Sequence, residues 1–138
     1  MPQDASPPLP PAVLETALYA PDLDAAHAFY GGVMGLAVVL KAPGRHIFYR
    51  LNGSMLLIFR ADATRVPGQD TVPPHGADGP GHVCFAADRH AMERWETRLT
   101  AAGIEVEARI TWPNGACSIY ARDPAGNSVE FAEPHLWG

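Results

Sequence analysis

Three residues of this chain carry side chains that could do chemistry together: Glu15, His82 and Glu130. Two carboxylates and one imidazole nitrogen make a facial donor set for a divalent ion. Such a set leaves coordination positions open to water and substrate, and it suits Fe(II), Mn(II), Ni(II) or Zn(II). Taken singly, none of the three marks a site, since a lone histidine on a strand is more often structural and a glutamate near a strand end is commonly solvated. An internal repeat joins them. Leu14-Glu15-Thr16-Ala17-Leu18-Tyr19 aligns with Gly81-His82-Val83-Cys84-Phe85-Ala86. Each segment is followed by an amphipathic stretch ending in glycine, Gly35 at 20 positions after Glu15 and Gly103 at 21 after His82. The closing segments align too, Gly53-Ser54-Met55-Leu56-Leu57 with Gly126-Asn127-Ser128-Val129-Glu130. Glu15 and His82 therefore occupy one repeat position. Leu57 stands where the second unit has Glu130, so a fourth ligand is missing there.

The elements that must position these residues follow from periodicity. Val13–Tyr19 alternates as a strand, with Leu14, Thr16 and Leu18 on one face and Glu15, Ala17 and Tyr19 on the other. In the segment from His82, Val83 and Phe85 oppose His82, Cys84 and Ala86. In the last strand, Val129 and Phe131 oppose Glu130 and Ala132. Bulky apolar residues thus face the helices, and each candidate ligand faces away among small neighbours, as a concave site requires. Asp22 is placed to cap a helix whose apolar residues Ala25, Ala26, Phe29, Tyr30, Val33 and Met34 recur at helical spacing up to Gly35. Strands are expected at Ala37–Lys41, His46–Leu51 and Met55–Arg60, with Asn52-Gly53 as a hairpin signal. Asp88 opens a second helix with Met92, Trp95, Leu99 and Ala102 as its buried stripe. Val106–Trp112, Ala116–Arg122 and Ser128–Glu133 close the second unit. Asn114-Gly115 and Pro124-Ala125-Gly126-Asn127 make its turns.

The expected organisation is a proline-rich arm over residues 1–12, a first βαβββ module over 13–60 and a linker loop over 61–80. A second module over 81–134 and a tail over 135–138 complete it. The fold class is α+β: two βαβββ modules whose strands form a curled mixed sheet around a metal cleft. At 138 residues the chain is one domain by length, and its 47% apolar content is enough for a core. A net charge of −5 with no basic cluster excludes a nucleic-acid footprint. No segment is long and apolar enough to suggest a membrane span, and the N-terminus lacks the pattern of a secretory signal. Two cysteines, Cys84 and Cys117, read as free thiols of a reducing cytoplasm.

Further candidates line the concave face. Tyr19 and Cys84 share it with the ligands. Tyr120 and Arg122 alternate on the neighbouring strand and could orient an anionic or carbonyl substrate. Trp112 sits at the hairpin Trp112-Pro113-Asn114-Gly115, beside the closing strand. His46 begins a strand near the pocket and is a weaker candidate for a general base. His135 and Trp137 could fold back over the site, although terminal residues are commonly loose.

The run Asp22-Leu23-Asp24-Ala25-Ala26-His27-Ala28-Phe29-Tyr30, with Gly35-Leu36, resembles the helix signature of the vicinal oxygen chelate superfamily. That group includes glyoxalase I, fosfomycin and bleomycin resistance proteins, and extradiol dioxygenases. Gly81-His82-Val83 and Asp123-Pro124-Ala125-Gly126-Asn127-Ser128-Val129-Glu130-Phe131 resemble its second and third metal-ligand segments. The resemblance covers nearly all of residues 13–134. Many members carry His at the first ligand position; here it is Glu15, as in bacterial relatives described only as glyoxalase-like. The resemblance implies a homodimer whose cleft is built within one chain or between two. It also implies a metal-dependent enzyme acting on a small molecule with vicinal oxygens, through an enolate-like intermediate of lyase or isomerase chemistry. Glu15 and Glu130 are the acids available for proton transfer, and Glu15 is the more mobile. Extradiol ring cleavage is an alternative with the same open positions. A non-catalytic drug- or metabolite-binding resistance protein is another, and it need not bind metal.

Overall fold

The computed structural model describes residues 6–69 and 71–138. Residues 1–5 of the expected N-terminal arm lie outside the described residues. Residues 6–12 are exposed and form neither helix nor strand.

The first module runs β1 (Glu15–Tyr19), α1 (Leu23–His27, continued as a π-helical turn over Ala28–Val33), β2 (Ala37–Ala42), β3 (His46–Arg50) and β4 (Met55–Phe59). After a short α2 (Ala61–Thr64) the second runs β5 (His82–Ala86), α3 (Arg89–Ala101), β6 (Ala108–Thr111), β7 (Cys117–Arg122) and β8 (Ser128–Ala132). A 3-10 helix, Pro134–Trp137, closes the chain. The architecture is α+β, with two four-stranded mixed sheets ordered β1-β4-β3-β2 and β5-β8-β7-β6. In each, the first strand pairs parallel with the last and the other pairs are antiparallel. None of the helices among the described residues is long and apolar enough to cross a membrane.

The repeat read in the sequence is a repeat of register. Glu15 stands opposite Met55 and Ala17 opposite Leu57; His82 stands opposite Ser128 and Cys84 opposite Glu130. The helices α1 and α3 each open on an aspartate cap. Asp22 Oδ1 accepts the Ala25 amide at 3.0 Å, and Asp88 Oδ1 accepts the Ala91 amide at 2.8 Å. The expected first helix is present, but its second half is wound wider, with the Met34 amide donating to the Phe29 carbonyl five residues back at 2.9 Å. The wide turn buries the adjacent pair Phe29 and Tyr30 together. Gly31 lies in this turn because a Cβ there would come within 2.3 Å of the His27 ring. His27 is half-buried and bonded through Nδ1 to the Tyr49 hydroxyl at 2.9 Å.

One apolar core spans both modules, from Leu18, Tyr30, Ile47 and Ile58 to Val83, Leu99, Ile119 and Phe131. A buried polar clasp fastens the same junction. The Tyr30 hydroxyl donates to Asp123 Oδ2 at 2.6 Å. Asp123 Oδ1 accepts the Ala125 and Asn127 amides, shaping a turn whose Gly126 sits at φ +85°. Asn127 Nδ2 donates to the Tyr19 carbonyl at 3.0 Å and to Asp123 Oδ2 at 2.9 Å. Its Oδ1 accepts the Gly81 amide at 2.6 Å. Replacing Asn127 with Ala strands buried donors and acceptors on both modules. Asn127→Ala is expected to lose about 2–4 kcal/mol, a fall in Tm of roughly 8–15 °C by differential scanning calorimetry.

Candidate metal and substrate site

The clasp delivers the site directly, because the residue after Asn127 begins β8. The Ser128 amide donates to the Gly81 carbonyl at 2.9 Å, which locks β5 and β8 in register at His82. Within that ladder His82 Nδ1 lies 3.1 Å from the Ser128 carbonyl oxygen. A carbonyl only accepts, so Nδ1–H is the donor in this contact, which sets the ring's orientation. The other nitrogen, Nε2, lies 3.2 Å from Glu130 Oε1. Glu130 is 5% exposed on the floor of the concave face, and His82 stands exposed at its rim. The His82 and Tyr120 rings lie nearly parallel, 6.3 Å apart.

These two residues suit a divalent ion on two grounds. Glu130 Oε2 is buried without a hydrogen-bond partner, a costly state for a carboxylate oxygen. Adjacent ligands about 2.1 Å from one ion stand about 3 Å apart, close to the separation of His82 Nε2 and Glu130 Oε1. With no ion bound, the neighbouring groups stay neutral at ordinary pH. Burial, reinforced by the Glu130 carboxylate, pushes the Cys84 thiol up to about 12 and the Tyr120 phenol up to about 12. With no ion bound, Tyr120 thus offers a hydroxyl that keeps its proton.

Glu15 occupies the His82-equivalent place on the other sheet, exposed at the start of β1. The chain does not bring it to His82 and Glu130: among the described residues no group of three or more His, Cys, Asp or Glu could hold a metal. Leu57, equivalent to Glu130, is buried. The first sheet carries an aromatic cluster on this face instead. His46 stacks on Phe48 with centroids 4.1 Å apart, and Phe59 meets both edge-on.

The remaining candidates separate. Trp112 and Tyr120 line a cavity with Glu130. Arg122 is engaged elsewhere, with Nε on Glu107 at 3.0 Å and its guanidinium on the Gly126 carbonyl. The Tyr19 hydroxyl shares a 2.7 Å hydrogen bond with His75 Nδ1. His75 comes from the 61–80 segment, which folds back over Phe59. Nothing in local spacing could have found that histidine. Asn114, Leu136 and Trp137 also border the Glu130 cavity. The sequence suggested that Trp137 could fold back over the site, but a 3-10 helix of four residues has no periodic signature by which to place it. A second hollow, formed by Tyr19, Pro21, Asp62, Arg65 and Asp78, excludes His82 and Glu130, and its Arg65 and Asp78 form a bidentate pair.

A family model described as the Glyoxalase/Bleomycin resistance protein/Dioxygenase superfamily matches residues 12–131. An uncharacterised protein of Pseudomonas aeruginosa is 34% identical over 137 residues, covering 88% of each chain. The crystal structure of a lactoylglutathione lyase from Agrobacterium tumefaciens is 51% identical. It superposes with a TM-score of 0.90 over 94% of this chain and 98% of that one. A glyoxalase/bleomycin resistance protein/dioxygenase from Nocardioides shares the fold at 24% identity, with a TM-score of 0.69 over 90% of this chain and 83% of that one.

The raised Cys84 thiol supplies a direct probe of the Glu130 charge. In chelator-treated protein at pH 8, Cys84 should alkylate with iodoacetamide at least about tenfold more slowly than free cysteine, because little thiolate is present. Glu130→Gln removes one of the causes and should speed Cys84 modification, followed by peptide mass spectrometry. Unchanged kinetics in that variant would contradict the placement of Glu130 beside the thiol.

Proposed function

The chain belongs to the Glyoxalase/Bleomycin resistance protein/Dioxygenase superfamily, and on that footing we propose that it is a divalent-metal-dependent enzyme of the glyoxalase-like type. Its substrate is a small molecule with vicinal oxygens, and its chemistry is that of a lyase or isomerase. The observation that carries this reading is the His82–Glu130 pair with its orphaned buried oxygen. The name of the Agrobacterium relative, a lactoylglutathione lyase, supports the reaction type. The free thiols of Cys84 and Cys117 suit a reducing, cytoplasmic setting.

His82 and Glu130 are the ligands one chain supplies, and Glu15 of the partner subunit is the third. Two features favour this homodimer. Glu15 already holds the His82 register position on the other sheet, so pairing modules about a twofold axis matches like with like. Exposed apolar residues also cluster at the outer strand and at the entry to β1: Val38, Val39 and Leu40, with Val13 and Leu14. The bound ion would polarise the substrate's vicinal oxygens and favour negative charge developing on them. The chain's own residues do the rest. Ser128 sets the orientation of the His82 ring. The buried Glu130 stays fixed on the floor. Tyr120 presents a neutral hydroxyl able to donate to a substrate oxygen. Glu15, exposed and less constrained, is the carboxylate that accepts and returns the substrate proton.

His82→Ala and Glu15→Ala homodimers should each lose metal-dependent turnover, and His82→Ala should also lose bound metal. Mixing the two as unfolded chains and refolding them together should restore up to about one quarter of wild-type activity. Half of the dimers are then mixed, and each mixed dimer has one intact site. Absence of any recovery, with mixed dimers demonstrated by native mass spectrometry, would rule out a site shared between chains. Glu15→Gln should lower proton-transfer turnover far more than metal content. Oxygen consumption with catechols would instead favour ring cleavage.

A further inference from the structure

Resting on the homodimer reading, a Glu15 that reaches the partner subunit takes the residues ahead of it there too. Residues 6–14 carry no charge and include Pro7, Pro8, Pro10 and Pro11. Every residue from 6 to 15 is exposed, with Leu9 at 91%, Val13 at 69% and Leu14 at 74%. The Leu9 side chain therefore has no seat in its own chain. Proline lacks the N–H that a sheet ladder needs, so this arm cannot extend β1 or add to an open sheet edge. Four prolines in the five residues 7–11 favour the extended polyproline conformation instead. Such a segment is stiff before it binds, loses little freedom on docking, and packs its rings on aromatic surface.

Aromatic surface of that kind stands bare on the second module. Trp137 is 92% exposed, yet the 3-10 helix that carries it is tethered. Asn114 Nδ2 donates to the carbonyls of His135 at 2.8 Å and Leu136 at 3.2 Å. The facing indole is restrained as well, since Trp112 Nε1 donates to Ser118 Oγ at 2.8 Å. Both rings, with Pro113, border the cavity of about 570 Å³ that Glu130 also lines. A cavity of that volume is about 10 Å across. With Glu15 of one copy at His82 and Glu130 of the other, its arm starts at the edge of this cavity. Residues 9–11 precede Glu15 by roughly 12–19 Å of extended chain, enough to cross to the indoles.

We infer that residues 7–11 of each copy dock across Trp112 and Trp137 of the partner subunit and wall the outer side of its cleft. The test is photo-crosslinking of the full-length protein. Chains labelled with nitrogen-15 and carrying p-benzoylphenylalanine in place of Leu9 are unfolded and refolded with unlabelled chains. Irradiation should give a dimer-sized product. In it the labelled arm is joined to an unlabelled peptide holding Trp112 or residues 135–138. Trp137→Ala in the unlabelled chains should cut that product at least about fivefold, and Trp137→Phe should keep most of it. Pro10→Gly together with Pro11→Gly in the labelled chains should cut it about threefold, because the arm keeps its length and loses its stiffness. Absence of a dimer-sized product would overturn the inference. So would joining only within the labelled chain or at distant segments such as residues 37–42, or a yield unaffected by Trp137→Ala. Recovery of activity on mixing His82→Ala with Glu15→Ala chains reports separately on the shared metal site. Recovery without the arm product would sink the arm contact and leave that site standing. The arm product without recovery would do the reverse.

Discussion

The side-chain amide of Asn127 sits at the seam between the modules and binds on both sides of it. Its nitrogen reaches the end of β1 and the carboxylate of Asp123, and its oxygen holds the chain just before β5. That seam is buried, so each of these groups would be costly to leave unmade. The effect is positional as well as energetic. With Gly81 fixed, Ser128 can pair only with the start of β5, and His82 and Glu130 then fall within reach of one another. A slip of one residue in β8 would turn Glu130 into the core and Val129 out to the concave face. The polar turn from Asp123 to Asn127 is thus the register pin of the site, and Tyr30 on the π-turn ties the first helix to the same pin.

The two modules share a backbone plan and differ in what they place on it. Where β8 carries Glu130, β4 carries Leu57, with the ring cluster of Phe48, Phe59 and His46 beside it. An apolar side chain at that position spares the first sheet a second buried anion. In the proposed homodimer a carboxylate there would also face Glu130, and like charges at short range in a dry site are strongly unfavourable. The duplicated plan thus carries an apolar face on the first sheet and an anionic one on the second.

The local part of this arrangement was legible in the sequence. Alternation in the strands around Glu15, His82 and Glu130 fixes which face each side chain takes, and the repeat fixes their equivalence. Both depend on neighbours two residues apart. The aspartate caps and the Asn-Gly turns were legible for the same reason. What escaped depends on contacts between distant segments. The π-turn needs the pocket made by Tyr49 and Asp123 to reward its wider winding. His75 reaches Tyr19 only because its loop doubles back. The closing helix is ordered by Asn114, twenty-two residues before Leu136. The last strands were read one or two residues long at their ends, as at Val106–Trp112, where pairing extends only over Ala108–Thr111.

The position of Glu15 follows from the same distinction. Strand register is a local property and makes Glu15 the counterpart of His82. Distance between the two is a property of how the modules face each other, and the seam sets that. Within one chain the seam joins the end of β1 to the start of β5, through Tyr19, Asn127 and Gly81. Glu15 lies at the opposite end of β1, four residues from Tyr19, which is roughly 13 Å along an extended strand. The clasp that brings His82 to Glu130 therefore keeps Glu15 of the same chain at a distance. In the proposed homodimer a second copy is not bound by that tether and would present its own first sheet to the His82–Glu130 face. The exposed valines and leucine of β2 and the bare start of β1 are the surfaces such a pairing would cover.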